Sequence, residues 1–127
     1  MHAKEFENII SLEPIERYNY FIKKIADSEK LYTLLDENGD YITSEIDGNM
    51  LFPLWSAVNF AETCKTQGWQ NYLIKELDLD DFKNETMKII AESNFLINVF
   101  PIYERTGFVV NLDEFNRDLN EELEKIE

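Results

Sequence analysis

The sequence predicts an α+β fold: a mainly antiparallel sheet with about four helices packed largely on one side. Three observations carry this expectation. The dipeptides Asn38-Gly39 and Asp47-Gly48 separate three short apolar runs between residues 30 and 55, a pattern of strands joined by tight turns. Longer segments such as Ile15, Tyr18, Ile22 and Ile25 repeat apolar residues at the helical spacing of three and four. Three further segments open alike, with an apolar residue, a polar cap and a Phe five positions after the apolar residue.

Taken in order, residues 1–10 read as a loose lead-in, or as a short helix with Phe6, Ile9 and Ile10 inward. The remaining 11–127 read as one domain, the expected number for this length. Ser11 can cap a helix, and Pro14 is tolerated in its first turn, where no intrahelical donor is lost. That helix should end near Asp27-Ser28. Lys30–Asp36 reads as a strand, Asn38-Gly39 as a type I′ turn, and Tyr41–Ile46 as the return strand. Asp47-Gly48 turns again into Met50–Trp55, completing a three-stranded antiparallel meander over residues 30–55. Pro53 cannot donate to a ladder, so this third strand is expected at an edge or ending there. Ser56 then caps a helix to about Lys65, broken by Thr66-Gln67-Gly68. A strand over 69–77, a helix over 78–93, a strand over 95–103, a turn and a strand near 107–111 follow. A final helix, Leu112–Ile126, carries the stripe Leu112, Phe115, Leu119, Leu123 and Ile126.

The shared helix start recurs as Trp55-Ser56 with Phe60, Leu77-Asp78 with Phe82, and Val110-Asn111 with Phe115. A cap oxygen accepts from the free N–H groups of the first turn, and the preceding apolar residue packs on the Phe as a hydrophobic staple. All three phenylalanines are therefore expected to be buried.

Charge excludes several functions. The chain has 26 acids against 12 bases, a formal net charge of -14. Such a surface repels nucleic acid and anionic membrane, and the nearest approach to a basic patch is Lys23-Lys24 with Lys30. The same surface suits a basic protein partner. One cysteine, Cys64, rules out an internal disulfide and points to a reducing compartment such as the cytoplasm. MHAKEFENII does not read as a signal peptide, and no apolar run reaches the ~18–20 residues of a membrane span.

Candidate chemistry is thin. Asp36, Asn38 and Asp40 resemble a calcium loop, but position six would be Tyr41 and position twelve Asp47. A turn explains them better. Asp78, Asp80 and Asp81 suit a helix start, and Glu121 and Glu122 a solvated face, so no metal and no cofactor is expected. The only histidine is His2, near a terminus, and Cys64 lies on the stripe Ala57, Phe60, Ala61. No nucleophile–base set can be assembled from them, and no catalytic residue is assigned. Four glycines provide neither a Walker loop nor a dinucleotide fingerprint. Trp55 and Trp69 are anchors with some capacity as ligand platforms. Tyr103 and Arg105, at a hairpin tip, are contact candidates.

The order of signals resembles the DUF2750 family, small bacterial proteins of uncharacterised function. It runs from a helix carrying Arg17 into Lys30–Asp36 and a glycine turn. Phe52-Pro53-Leu54-Trp55-Ser56, Ala61 and Trp69 follow, then Leu79-Asp80-Asp81-Phe82, Val99-Phe100-Pro101 and a closing hairpin and helix. The likeness covers about residues 12–125. It implies a bacterial cytoplasmic α+β domain and brings no catalytic residues. The sequence thus points to a non-enzymatic interaction or regulatory protein, immunity-like in size and charge, that binds another protein. The competing expectation is a small-ligand binder or enzyme with a pocket near Trp55, Trp69 and Tyr103. A homodimer through an edge strand is compatible with both.

Overall fold

A computed structural model describes residues 1–66, 69–103 and 105–126, without the side chain of Thr66. It is an α+β fold with two sheets, mostly antiparallel. The element order begins α1 (Ala3–Ile10), α2 (Pro14–Ser28), β1 (Lys30–Leu35), β2 (Ser44–Ile46), β3 (Asn49–Leu54) and α3 (Val58–Glu62). A 3-10 turn, Thr63–Thr66, leads toward β4 (Leu73–Asp78), α4 (Leu79–Asp81), a π turn (Phe82–Thr86) and α5 (Met87–Ser93). Then come β5 (Leu96–Val99), β6 (Phe108–Val110) and α6 (Leu112–Ile126).

Of the two expectations for residues 1–10, the short helix is the one that forms. The His2 Nδ1 accepts from the Lys4 N–H at 3.2 Å and caps α1. Phe6 then stacks on Phe60, their ring centroids 5.4 Å apart.

The strand pairing corrects the expected meander. β1 pairs antiparallel with β4, Leu31 opposite Leu77, as a two-stranded ribbon. The second sheet runs β2-β3-β5-β6, antiparallel at its ends and parallel between β3 and β5. The expected strand over 69–77 is thus β4, starting at Leu73, and that over 95–103 is β5, ending at Val99. Asn38-Gly39 does turn the chain: Asp36 N–H donates to the Asp40 carbonyl at 2.9 Å and Ile42 N–H to that of Leu34 at 3.0 Å. The turn closes a local excursion bridged at Leu35 and Tyr41 rather than a hairpin of long strands: further along, the edge of β1 away from β4 is taken by Trp55 opposite Tyr32.

Pro53 explains how the ribbon joins the larger sheet. Tyr32 and Trp55 exchange both backbone hydrogen bonds, each 2.9 Å, while the Leu54 carbonyl turns the other way and accepts from Phe100 at 2.8 Å. β1 and β2 therefore lie on the same side of β3, β2 along its start and β1 at its end. Pro53 stands at the changeover, where no strand asks for its missing N–H, and its carbonyl accepts from Thr33 Oγ1 at 2.8 Å. β3 is consequently an inner strand rather than an edge, and of the two placements expected from the proline it takes the second, ending at Leu54 just past Pro53.

Phe60, Phe82 and Phe115 are all fully buried, as the staples require. The caps are less regular. Asn111 Oδ1 accepts from Glu114 N–H at 2.8 Å. Asp78 makes no side-chain cap and instead takes Lys30 Nζ at 3.0 Å. α3 starts one residue later than expected, on Ala57, leaving Ser56 outside it. The helix after β4 is interrupted by the π turn, whose bond runs from Met87 N–H to the Phe82 carbonyl.

The core gathers where α2 packs on α6 and both reach β5, with α1 on α3 beside it. Phe115 touches Phe21 and Phe82 at 6.1 and 5.8 Å, and Phe100 touches Phe60 at 4.5 Å. Each buried Phe contributes roughly 1.5–3 kcal/mol.

Tyr18, buried between α2 and α6, donates its hydroxyl to Asp118 at 2.6 Å. Burial first, and then this bond to a carboxylate, raise its pKa well above the ordinary 10.0. A group whose folded pKa is raised stabilises the fold fully below its unfolded pKa and loses that contribution as pH rises beyond it. Stability should therefore fall above about pH 10, by at most about 1.4 kcal/mol per pH unit from this group. In urea titrations from pH 9 to 11, Tyr18→Phe should show a shallower decline. An unchanged slope would contradict this assignment.

Candidate functional site

The candidate site is built at the ends of β3 and β5, the two parallel strands. Sites in open parallel sheets form beyond the carboxyl ends of such strands. Both strands stop here abruptly. β3 gives way to Trp55-Ser56, and β5 to Phe100-Pro101, where Phe100 takes a left-handed φ of 65°. Tyr103 repeats this at φ 44°. Left-handed backbone at bulky aromatic residues costs of order 1–3 kcal/mol each and persists only where surrounding contacts impose it.

Those contacts converge on one carbonyl. Trp55 is fully buried and its indole Nε1 donates to the Pro101 carbonyl at 2.6 Å. Cys64 Sγ approaches the same oxygen at 3.3 Å. Trp69 meets Trp55 edge-on, with centroids 6.4 Å apart. Thr63 Oγ1 donates to the Phe60 carbonyl at 2.7 Å and accepts from Tyr103 N–H at 3.4 Å. Ile102 and Arg105 bridge through their backbones at 2.7 and 3.2 Å. Gly107 N–H donates to the buried Asn98 Oδ1 at 2.8 Å, fastening the far side of the loop.

Of the four residues singled out by sequence, Trp69 lies against Trp55, while Tyr103 and Arg105 stand in the loop after β5, tied through their backbones to Thr63 and Ile102. Trp55 is scaffold and offers no surface. Trp69 is half-buried, and Tyr103 and Arg105 are exposed. The expected breaker at Gln67-Gly68 and the hairpin residue Glu104 lie outside the described residues.

Two residues here gave little warning in the sequence. Ser56 is buried, at 6% exposure, and among the described residues its hydroxyl has no hydrogen-bond partner. A buried hydroxyl without a partner destabilises by about 1–3 kcal/mol, so Ser56 marks a position not chosen for stability. Ser56→Ala should leave the urea midpoint unchanged or raise stability by up to about 1 kcal/mol. A loss larger than that would show the hydroxyl to be structurally bound. Arg17 is the second. It is 4% exposed, with Nε donating to the Phe100 carbonyl at 3.3 Å and Nη1 to that of Leu12. Its one signal was an arginine beside the α2 apolar stripe.

A second surface feature lies where β4 runs into α4. Two shallow clefts meet at Asp78 and Asp81, lined by the six exposed carboxylates Glu29, Glu76, Asp78, Asp80, Asp81 and Glu85 and by Lys30 and Lys75. Lys30 is held by Glu76 at 3.4 Å and Asp78 at 3.0 Å. Among the described residues, no group of three His, Cys, Asp or Glu is placed to hold a metal ion. The Asp36 carboxylate accepts the backbone N–H groups of Asn38 and Asp40 at 2.8 and 3.0 Å, as a turn residue does. No described helix is long and apolar enough to cross a membrane.

The family model described as "Protein of unknown function (DUF2750)" matches residues 18–119 of the 127. No curated protein matches the chain. Among solved structures, one titled "Anabaena Tic22 (protein transport)" is similar over 66% of this chain and 47% of that one, so the chain spans about half its length. The TM-score is 0.39 at 11% identity, a likeness too distant to bear on role.

Proposed function

The chain belongs to the DUF2750 family, and on that premise we propose that it is a non-enzymatic interaction protein binding a basic segment of a partner protein. The observation that supports this reading is the acidic rim at the end of β4. Its six carboxylates face two lysines, one of which is already held by two of them. The rim stands on a fixed corner, since β4 is laddered to β1 and runs directly into α4 and the π turn. Among the described residues β4 has no strand on its other side, so an extended segment has backbone groups to pair with as well as charges to meet.

Attraction between exposed charges is screened beyond about 10 Å at 0.1 M salt, so partner capture should be strong at low salt and weaker at moderate salt. Affinity capture in both conditions, with light scattering on the free protein, tests the reading. No protein partner in either condition, with a monomer in solution, would contradict it. A homodimer through β4 would replace the foreign partner with a second copy. The competing reading, a small ligand near Trp55, Trp69 and Tyr103, is favoured by one observation, the unpartnered hydroxyl of Ser56.

A further inference from the structure

We propose that a second copy of this chain docks on the cleft between α2 and α6, forming a two-fold dimer through that face. The cleft encloses about 420 Å³. Its floor is apolar: Tyr18, Ile22 and Val110 are buried, and the Tyr18 ring packs on the half-buried Phe108 with centroids 4.8 Å apart. The Tyr18 hydroxyl is already given to Asp118 at 2.6 Å, so the floor makes little polar demand on an occupant. On the lip stands Ile15, an apolar side chain left 47% exposed. A two-fold contact presents the same patch on both copies, so an apolar hollow and an apolar knob beside it can fill one another reciprocally.

Charge favours a second copy as the occupant. With 12 bases against 26 acids, two copies repel along most approaches. The described lining of this cleft carries three bases against four acids, close to balance. On its α6 wall Glu114, Arg117, Asp118, Glu121, Glu122 and Lys125 follow at spacings of three and four, one helical face about 16 Å long. Within the chain Arg117 meets Asp118 at 3.2 Å and Lys125 meets Glu122 at 3.3 Å, and both cations remain exposed. A two-fold axis perpendicular to α6 sets the two copies of the helix antiparallel. With that axis between Leu119 and Asn120, Arg117 faces Glu122 of the second copy, and Lys125 faces its Glu114. Each internal pair is thereby extended across the interface. Asp118 then faces Glu121, a like pair, but Asp118 is already engaged by Tyr18 and Arg117. Four opposite-charge contacts against two like ones leave the face complementary to itself.

The test is sedimentation equilibrium of the full chain at about 0.15 M salt, where charges are screened beyond about 8 Å. It should show a monomer–dimer equilibrium. Ile15→Glu should raise the dissociation constant at least about tenfold, with an unchanged melting temperature in dilute solution because Ile15 is exposed. Arg117→Glu should weaken the dimer likewise, and adding Glu122→Arg should restore it, which a merely damaged fold would not do. A monomer up to about 1 mM, a dimer undiminished by Ile15→Glu, or a double variant no better than Arg117→Glu would overturn the proposal. The acidic rim shares no residue with this cleft, so amides at the rim should leave this dimer intact and the two readings fail separately.

Discussion

Gly107→Ala is expected to lower the melting temperature by roughly 10 °C or more, or to prevent folding, the largest effect of an alanine at any of the described glycines. A Cβ at Gly107 would lie 2.0 Å from the Val99 carbonyl oxygen and 2.7 Å from the Phe100 and Val99 carbonyl carbons. These are backbone atoms of the point where β5 ends, and they are fixed on both sides. The Leu54 carbonyl accepts from Phe100 N–H at 2.8 Å, and Val99 pairs with Phe108 across the ladder. Relief would require moving β5 away from β6 or breaking the Gly107–Asn98 bond. Gly48→Ala is the control. Gly48 sits at φ 82° with open space around its Cα, so an added methyl strains only its own backbone, by about 1 kcal/mol. Thermal denaturation of the two variants should separate them widely. Equal melting temperatures would show that β5 and the returning chain are not locked as described.

Trp55→Ala should destabilise by about 3–5 kcal/mol, the range for emptying a large core site. Trp55 is buried on every side. Its backbone joins β3 to β1 at Tyr32, its ring packs against Trp69, and its N–H holds the Pro101 carbonyl. Trp55→Phe keeps most of the volume and loses the N–H, which should cost about 1–3 kcal/mol. Urea denaturation of the three proteins should therefore rank wild type, Phe and Ala in that order. A phenylalanine variant as stable as wild type would mean that the Pro101 carbonyl does not depend on the indole.

What could be read from the sequence was what depends on neighbours in the chain. Phe60, Phe82 and Phe115 were legible as core residues because each lies on the apolar face of its own helix start, and all three are fully buried. The period-3.6 stripes located α2 and α6 for the same reason. Strand partners are different. Asn38-Gly39 declares that the chain reverses, but not that β1 will spend its ladder on β4, some forty residues later. Pro53 declares a missing donor, but not that the vacancy falls between two neighbours on one side of β3. The same limit applied at the site. Trp55, Trp69, Tyr103 and Arg105 were visible as residue types rich in contact capacity; the fold brings Trp69 against Trp55 and leaves Tyr103 and Arg105 exposed in the loop after β5. Ser56 read as a cap because it precedes a helix; the helix begins one residue later and leaves the hydroxyl unused. Arg17 gave no sign of burial, since only the approach of the Phe100 loop encloses it.

The acidic rim bears most directly on what the protein does, and a variant with five of its six carboxylates neutralised isolates it. Replacing Glu76, Asp78, Asp80, Asp81 and Glu85 by their amides keeps shape and leaves the core untouched. Affinity capture by the folded variant and by wild type, at low salt and in parallel, should return a basic partner with wild type and lose it with the amides. Recovery of the same partner in equal amount by the amide variant would contradict the account.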